Sequence, residues 1–307
     1  VNMKSKLSYD IPDYKKIRVI VDTDAACEAD DPFAISHALM CRKFLVKGIT
    51  AEHFVEEGSV QKSKAEIDTI LSCMKSDVPS FLGEEKTFSH YDEVISSKGL
   101  SPAAKFIADE AMREDSHPLY VLCIGAITNV AYAIKSSPEI SKKMNIIWIG
   151  GHSYENPFPW REFNSNNDID AANFVIRSYA GCEETHFAQV PSDVYGAMNI
   201  GIAELEEKVK PCGKIGNHLF TQLVEYNMTE RAAWTQGESW SLGDSPAVGF
   251  ALNPNAGKFT ERRARLFNAD GSYDTEKDEN PIIRVYTSVD SRFILEDFFA
   301  KLKINFG

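Results

Sequence analysis

Five acidic side chains stand close together near the start of the chain. Asp22, Asp24, Glu28, Asp30 and Asp31 fall within ten residues, directly after a stretch rich in Val and Ile. Carboxylates this close repel one another unless a cation or a positively charged substrate lies among them. Hard cations such as Ca²⁺ and Mg²⁺ take oxygen ligands. The cluster therefore predicts a metal site, with a solvated acidic loop that caps the next helix as the alternative.

The elements that must position this cluster alternate between strands and helices. Short Val- and Ile-rich runs alternate with segments of helical period, which is typical of an α/β fold with an open, mainly parallel central sheet and flanking helices. Ligands bind at the carboxyl ends of strands in such sheets, which is where the acidic cluster falls. The predicted strands are Ile17–Asp22, Val46–Ala51, Leu119–Ile124, Asn145–Ile149 and Thr185–Val190, and the predicted helices lie around Pro32–Met40, Ser59–Met74, Pro102–Arg113, Asn129–Lys135 and Ile169–Tyr179.

The last third of the chain departs from this alternation. Residues 268–280 are polar and acidic and predict an exposed loop before a strand, Ile282–Ser288, and a last helix, Ser291–Lys301. We interpret residues 1–307 as a single domain with a helical C-terminal elaboration, and residues 1–14 as an N-terminal extension.

Composition excludes several function classes. The formal charge is −12, from 33 Lys and Arg against 45 Asp and Glu, so we expect neither a nucleic-acid partner nor a membrane partner. No segment approaches the roughly 18 consecutive apolar residues of a membrane span. The six cysteines are scattered without a C-x-x-C pair, which indicates a reduced, cytoplasmic protein.

Several segments, in order, resemble the inosine-uridine-preferring nucleoside hydrolase family. The first is Asp22-Thr23-Asp24 after a strand, followed by Asp30-Asp31-Pro-Phe-Ala-Ile at a helix start. The later ones are Gly48-Ile49-Thr50, Ile124-Gly125-Ala126-Ile127-Thr128-Asn129, Gly150-Gly151, Arg161-Glu162-Phe163-Asn164, Asp168-Ile169-Asp170-Ala171-Ala172 and Gly243-Asp244-Ser245-Pro246. The ordered set is far more specific than any single segment.

The resemblance implies roles for individual residues. It implies a bound Ca²⁺ whose protein ligands are Asp24, Asp31, Asp244 and the backbone carbonyl of Thr128, with Asp30 as the general base. A cation of this kind can hold a sugar diol and a water together and lower the pKa of that water. The implied reaction is hydrolysis of the N-glycosidic bond of a riboside, through an oxocarbenium-like transition state.

The resemblance also implies how the small-molecule riboside is held. Glu162 and Asn164 would bind ribose hydroxyls, and Asn156 is a further candidate substrate contact. A homo-oligomer, dimer or tetramer, is expected from the resemblance alone.

Two departures from the family pattern affect the substrate. The loop from Asp24 to Asp30 is two residues longer than usual and adds the carboxylate of Glu28, which is a candidate substrate contact. Gly243 precedes Asp244 where relatives commonly carry a histidine that is thought to protonate the departing base, so the leaving group is left open.

Histidines and tryptophans near these segments are candidates for the acid and for a stacking contact. His53 and His152 are candidate acids, although a histidine hydrogen-bonded at a strand end is the plainer interpretation of each. Trp240, four residues before Asp244, is a candidate to stack on a base or sugar, ahead of Trp160 and Trp234.

Two other functions remain open on the sequence alone. A Mg²⁺-dependent phosphatase would use Asp22 and Asp24 as an Asp-x-Asp nucleophile and acid. A non-catalytic homologue would keep the calcium and sugar site without turnover, which Gly243 favours.

Overall fold

A computed structural model describes residues 5–54, 56–155, 161–182 and 186–307 of the chain. The strands are β1 Ile17–Thr23, β2 Phe44–Ala51, β3 Ser80–Leu82, β4 Leu119–Cys123, β5 Met144–Ile149, β6 Phe187–Val190, β7 Asn199–Gly201, β8 Ser239–Ser241, β9 Phe259–Arg263 and β10 Ile282–Tyr286. The helices are α1 Asp31–Met40, α2 Ser59–Met74, α3 Tyr91–Ser97, α4 Pro102–Met112, α5 Thr128–Ser136, α6 Phe163–Asn167, α7 Ile169–Arg177, α8 Ser192–Tyr195, α9 Ile202–Lys208, α10 Gly213–Asn227, α11 Ser245–Leu252 and α12 Ser291–Phe306.

The central sheet confirms the predicted α/β class. Its order is β3-β2-β1-β4-β5-β6-β10-β9, and every neighbouring pair runs parallel except β10 and β9. The chain builds outward from β1 to β2 and β3, then returns to place β4 on the other side of β1. Neighbouring strands whose connections leave in opposite directions create a crevice at their carboxyl ends, and β1 and β4 are such a pair here.

Both faces of the sheet are covered, which explains why its strands are continuously apolar. Val19 and Val21 of β1 pack on one side with α1, α2, α11 and α12, whereas Ile20 packs on the other with α4, α5 and α7. Successive side chains of a strand point to opposite faces, so a strand buried on both sides needs apolar residues at every position.

The C-terminal elaboration contains strands as well as helices. β10 and β9 extend the sheet beyond β6, while α11 and α12 pack against α1. The last helix runs five residues beyond its predicted end, to Phe306. Residues 268–280 form a largely exposed loop, as predicted, except that Tyr273 reaches inward and donates a hydrogen bond to the carbonyl of His152 at 2.8 Å.

Candidate active site

Three aspartates meet where two helices begin. Asp30 and Asp31 stand at the start of α1, and Asp244 immediately precedes α11; each helix has a proline in its first turn. The side-chain oxygens of Asp30, Asp31 and Asp244 lie within 4.8 Å of one another. The backbone N–H of Asp244 donates to Asp30 Oδ2 at 3.3 Å, which ties the two helix starts together.

Asp24 joins this group from the end of β1 because the neighbouring strand makes room for it. A Cβ at Gly125, just beyond β4, would lie 3.0 Å from Asp24 Oδ1 and 3.3 Å from its Cγ. Any larger residue at position 125 would therefore press on this carboxylate. On the other side, Thr23 Oγ1 donates to Asp31 Oδ1 at 2.5 Å and fixes that side chain.

The carboxyl groups of this cluster are buried, and too little positive charge lies near them to balance their negative charges. Burial and the neighbouring carboxylates raise the pKa values of Asp24, Asp30 and Asp244 well above their usual range. Burial raises the pKa of Asp31 to about 6 and that of Glu28 to about 7. A cation placed among these groups would reverse the cost of ionising them.

These side chains line one cavity of about 680 Å³, a size that suits a small molecule. Six carboxyl groups face it against a single guanidinium, that of Arg161. The lining residues are Asp24, Cys27, Glu28, Asp30, Asp31, Ile124, Ile149, His152, Arg161, Glu162, Phe163, Asn164, Ser192, Tyr195, Trp234, Gly243 and Asp244.

Glu162 and Asn164 face the aspartates from the start of α6 and are held rigidly. Glu162 accepts hydrogen bonds from the backbone N–H groups of Gly151 at 2.7 Å and Ser165 at 2.9 Å. The amide nitrogen of Asn164 donates to the carbonyls of Ile149 at 2.9 Å and Ile124 at 3.4 Å. Only the amide oxygen of Asn164 then remains to contact a ligand, and it can accept from a hydroxyl.

Thr128 does not line this cavity, contrary to the expectation for a metal ligand. It is the first residue of α5, so its carbonyl points along the helix axis into the first turn. Its hydroxyl donates to Asp168 Oδ2 and lies 2.8 Å from His53 Nε2. Ile124, just beyond β4, lines the cavity, and its carbonyl accepts from the cavity-lining Asn164 at 3.4 Å.

His53 and Asp22 are buried behind the site rather than in it. The hydroxyl of Thr128 is the hydrogen-bond partner of His53 Nε2. The position of His53 therefore does not support a role as a substrate contact or as an acid. Asp22 Oδ1 accepts from Thr50 Oγ1 at 2.6 Å and from Asn129 Nδ2 at 2.9 Å. A nucleophile must reach its substrate, and Asp22 is fully buried, so the position of Asp22 does not support the phosphatase alternative.

Trp240 does not line the cavity, contrary to the expectation for a residue that stacks on the substrate. Trp240, on β8, is 2% exposed and packs edge-on against Tyr226. Trp234 lines the cavity instead, is 57% exposed and leans against Trp240 with ring centroids 5.3 Å apart. Asn156 and Trp160 lie outside the described residues.

Sequence reasoning missed Tyr195, which carries no motif. A Cβ at Gly243 would meet Tyr195 Cδ2 at 3.0 Å, so the tyrosine ring occupies the space beside that glycine. The hydroxyl of Tyr195 donates to Glu162 Oε1 at 3.1 Å. The only signal in the sequence is the unusual glycine at position 243, which implies that another side chain fills the space beside it.

Comparison with known proteins gives a consistent result. Residues 19–296 match the model of the family described as inosine-uridine preferring nucleoside hydrolase. The pyrimidine-specific ribonucleoside hydrolase RihA of Salmonella agona (strain SL483) is 27% identical over 270 residues, covering 80% of this chain and 82% of that protein.

Solved structures share the fold. The purine-preferring ribonucleoside hydrolase from Gardnerella vaginalis superposes with a TM-score of 0.73 at 22% identity, covering 93% of this chain and 98% of that one. The plant nucleoside hydrolase PpNRh1 gives a TM-score of 0.74 at 19% identity, covering 94% of this chain and 99% of that one. In the described part of the chain, no helix is both long enough and apolar enough to cross a membrane. The family match covers most of the sequence, and the protein therefore belongs to the inosine-uridine preferring nucleoside hydrolases, which are glycosidases that act on N-glycosyl compounds.

Proposed function

We propose that this protein hydrolyses the N-glycosidic bond of a ribonucleoside or a related riboside and releases ribose, in a calcium-dependent reaction. The observation that carries the proposal is the meeting of Asp30, Asp31 and Asp244 in one cavity, opposite Glu162 and Asn164. One wall is suited to a cation, and the other is suited to hydroxyl groups.

The donor set fits calcium. Asp24, Asp31 and Asp244 offer carboxylate oxygens, and the carbonyl of Ile124 is the backbone oxygen that we assign in place of Thr128. All are hard oxygen donors, without a histidine or thiolate among them, and such sets favour Ca²⁺ or Mg²⁺ over softer metals. When bound, the cation would hold sugar hydroxyls and make a water easier to deprotonate.

The protein side chains then position the sugar and take a proton. Glu162 is fixed by backbone N–H groups and by the hydroxyl of Tyr195, so a ribose hydroxyl would share one of its carboxylate oxygens with these donors. Asn164 offers its amide oxygen to a ribose hydroxyl. Asp30, at the start of α1, acts as the general base that accepts a proton from the attacking water. The surrounding carboxylates stabilise the positive charge that develops on the sugar ring.

Location and assembly stay predictions. We propose a cytoplasmic protein because all six cysteines, each within the described residues, are unpaired thiols. A homo-oligomer is proposed from the family relationship alone.

The test is ribose release from inosine, uridine and p-nitrophenyl riboside, with calcium and then with a chelator. We expect release that the chelator abolishes and that added calcium restores. Release that persists unchanged in the chelator would contradict calcium dependence. Bound calcium without release from any riboside would instead identify a sugar-binding homologue without turnover.

The base assignment has its own test. Asp30→Asn keeps the shape of the side chain but cannot accept the proton of the water, so kcat should fall by about 10³-fold or more. Calcium affinity, measured by titration calorimetry, should change far less. Full activity in this variant would show that another group is the base.

A further inference from the structure

Cleavage of an N-glycosidic bond leaves its electron pair on the departing nitrogen heterocycle. A poor leaving group departs readily only if an acid donates a proton to it, which contributes about 10² to 10⁴-fold. Gly243 has no side chain to donate, and the space beside it holds the ring of Tyr195. If the proposed function holds, the proton must come from elsewhere in the cavity.

His152 is a cavity-lining residue that is fixed on several sides. Its Nδ1 lies 2.7 Å from Ser192 Oγ, and its backbone carbonyl accepts from the hydroxyl of Tyr273 at 2.8 Å. The preceding residue, Gly151, accepts at its carbonyl from the N–H of Ser192 at 2.9 Å and donates its own N–H to Glu162. The backbone of residues 151 and 152 is thus held between Ser192, Tyr273 and Glu162, and the hydroxyl of Ser192 also contacts the imidazole.

Among the described residues, the other proton-bearing groups that we compare are poorer donors. The proton of Tyr195 is directed to Glu162, and burial raises the pKa values of both Tyr195 and Cys27. Glu28 neighbours the carboxylates that we assign to calcium, and a bound cation would favour its ionised form. The guanidinium of Arg161 does not give up a proton in proteins.

The geometry points to His152 as the acid that protonates the leaving group. The bond between C1′ and the base nitrogen breaks, its electron pair goes to the base, and the base takes a proton from the imidazole of His152. On the other side, the water oxygen bonds to C1′ and gives a proton to Asp30. The net change is riboside plus water to ribose plus base, and solvent returns the proton from Asp30 to His152. Ser192 and Tyr273 are positioning residues in this scheme.

The experiment compares leaving groups in the calcium-loaded protein. p-Nitrophenolate leaves without a proton, whereas hypoxanthine and uracil are poor leaving groups. His152→Asn keeps a polar atom near Ser192 but has no proton to transfer. We expect kcat/KM to fall about 10² to 10³-fold for inosine or uridine, and less than about threefold for p-nitrophenyl riboside.

His53→Asn is the matched control because it makes the same substitution at a histidine outside the cavity. Its ratio of nucleoside to p-nitrophenyl riboside activity should equal that of the wild type. Ser192→Ala should lower the ratio by a smaller factor than His152→Asn, because the imidazole remains but is less well placed. Calcium titration of each variant confirms that the site is intact.

Several results would overturn the assignment. Equal losses on both substrates would make His152 a residue that only positions the sugar, and no loss would remove it from the reaction. Wild-type cleavage of p-nitrophenyl riboside alone would show that no acid operates. In all three cases the proposed hydrolase survives. Wild-type protein that binds calcium and cleaves neither substrate would remove both proposals.

Discussion

The two ends of α1 carry buried polar clusters of opposite character. At its start, Asp30 and Asp31 meet Asp244 and face a cavity with little positive charge. At its end lies a group that we term the lysine cluster, made of His37, Cys41, Asp297 and Lys301. His37 Nε2 donates to Asp297 Oδ2 at 2.7 Å. Lys301 Nζ donates to Cys41 Sγ at 3.3 Å and also to Asp297. The first cluster lacks a counter-ion among its own side chains, whereas the second contains one.

The carboxyl pKa values record this difference. At the acidic end, burial and like charge raise the pKa of Asp244 well above its usual range. In the lysine cluster, burial alone would raise the pKa of Asp297, but the hydrogen bond from His37 and the charge of Lys301 lower it to about 2. Burial lowers the pKa of His37, so we assign this imidazole as neutral and Lys301 as the cation. The lysine cluster can therefore stabilise the fold by itself, while the acidic cluster requires a ligand.

The largest expected effect comes from removing one carboxylate at the acidic end. Asp244→Asn should weaken calcium binding by about 10²-fold or more and lower kcat/KM by at least about 10³-fold, because a proposed ligand is lost. In chelator, the same variant should unfold at an equal or higher denaturant concentration than the wild type, because a repulsive charge is gone. Titration calorimetry and urea unfolding measure the two effects.

Asp297→Asn is the control for that substitution. It removes a carboxylate from the other end of α1 and should leave calcium affinity unchanged while lowering stability. If Asp244→Asn destabilised the chelated protein as Asp297→Asn does, the two clusters would not differ in kind.

The sequence is sufficient to predict that the candidate site lies at the start of α1. Strands that are apolar at every position indicated a sheet covered on both faces, and carboxylates directly after β1 indicated the ligand-binding edge. That Asp30, Asp31 and Asp244 would come together required the family motifs, since Asp244 is far away in the chain. Local spacing by itself could not bring α11 beside α1.

Other features depended on orientation, which the sequence does not show. The choice between the carbonyls of Thr128 and Ile124 turns on where β4 ends and α5 begins. The choice between Trp234 and Trp240 turns on how the turn before β8 and β8 itself are oriented toward the cavity. The lysine cluster joins residues about 260 positions apart, with no motif at either end.

A smaller effect is expected from the lysine cluster. Lys301→Met keeps the length and apolar stem of the side chain but removes the cation from beside Asp297 and Cys41. Breaking a buried pair by removing one partner costs about 3–5 kcal/mol, so we expect a loss of about 3 kcal/mol in the free energy of unfolding. Urea unfolding measures it, and calcium affinity and kcat/KM at a temperature below the transition should match the wild type.

A double variant sharpens this prediction. Lys301→Met with Asp297→Asn removes the cation and its anion together and should recover part of the lost stability, because no uncompensated charge remains. If the double variant were as unstable as the sum of the single ones, the pair would not be the source of the stability.

A further expected effect is a pH dependence of opposite sign at the two ends. In the chelated protein, Asp31 and Glu28 have pKa values near 6 and 7, above the usual 3.9 and 4.3 of the unfolded chain. The folded state then binds more protons than the unfolded state between about pH 4 and 7, so its stability should fall as the pH rises through that range. Calcium should abolish this slope, because it favours the ionised carboxylates in the folded state.

The pKa of Asp297, lowered to about 2, has the reverse consequence. The contribution of Asp297 to the free energy of unfolding is complete above about pH 4 and is lost as the pH falls toward 2. Urea unfolding from pH 4 to 7, with and without calcium, isolates the acidic cluster, since Asp297 stays ionised throughout that range. A chelated wild type whose stability did not fall over this range would mean that the carboxyl groups at the start of α1 are already compensated without a cation, and the contrast between the two ends would be lost.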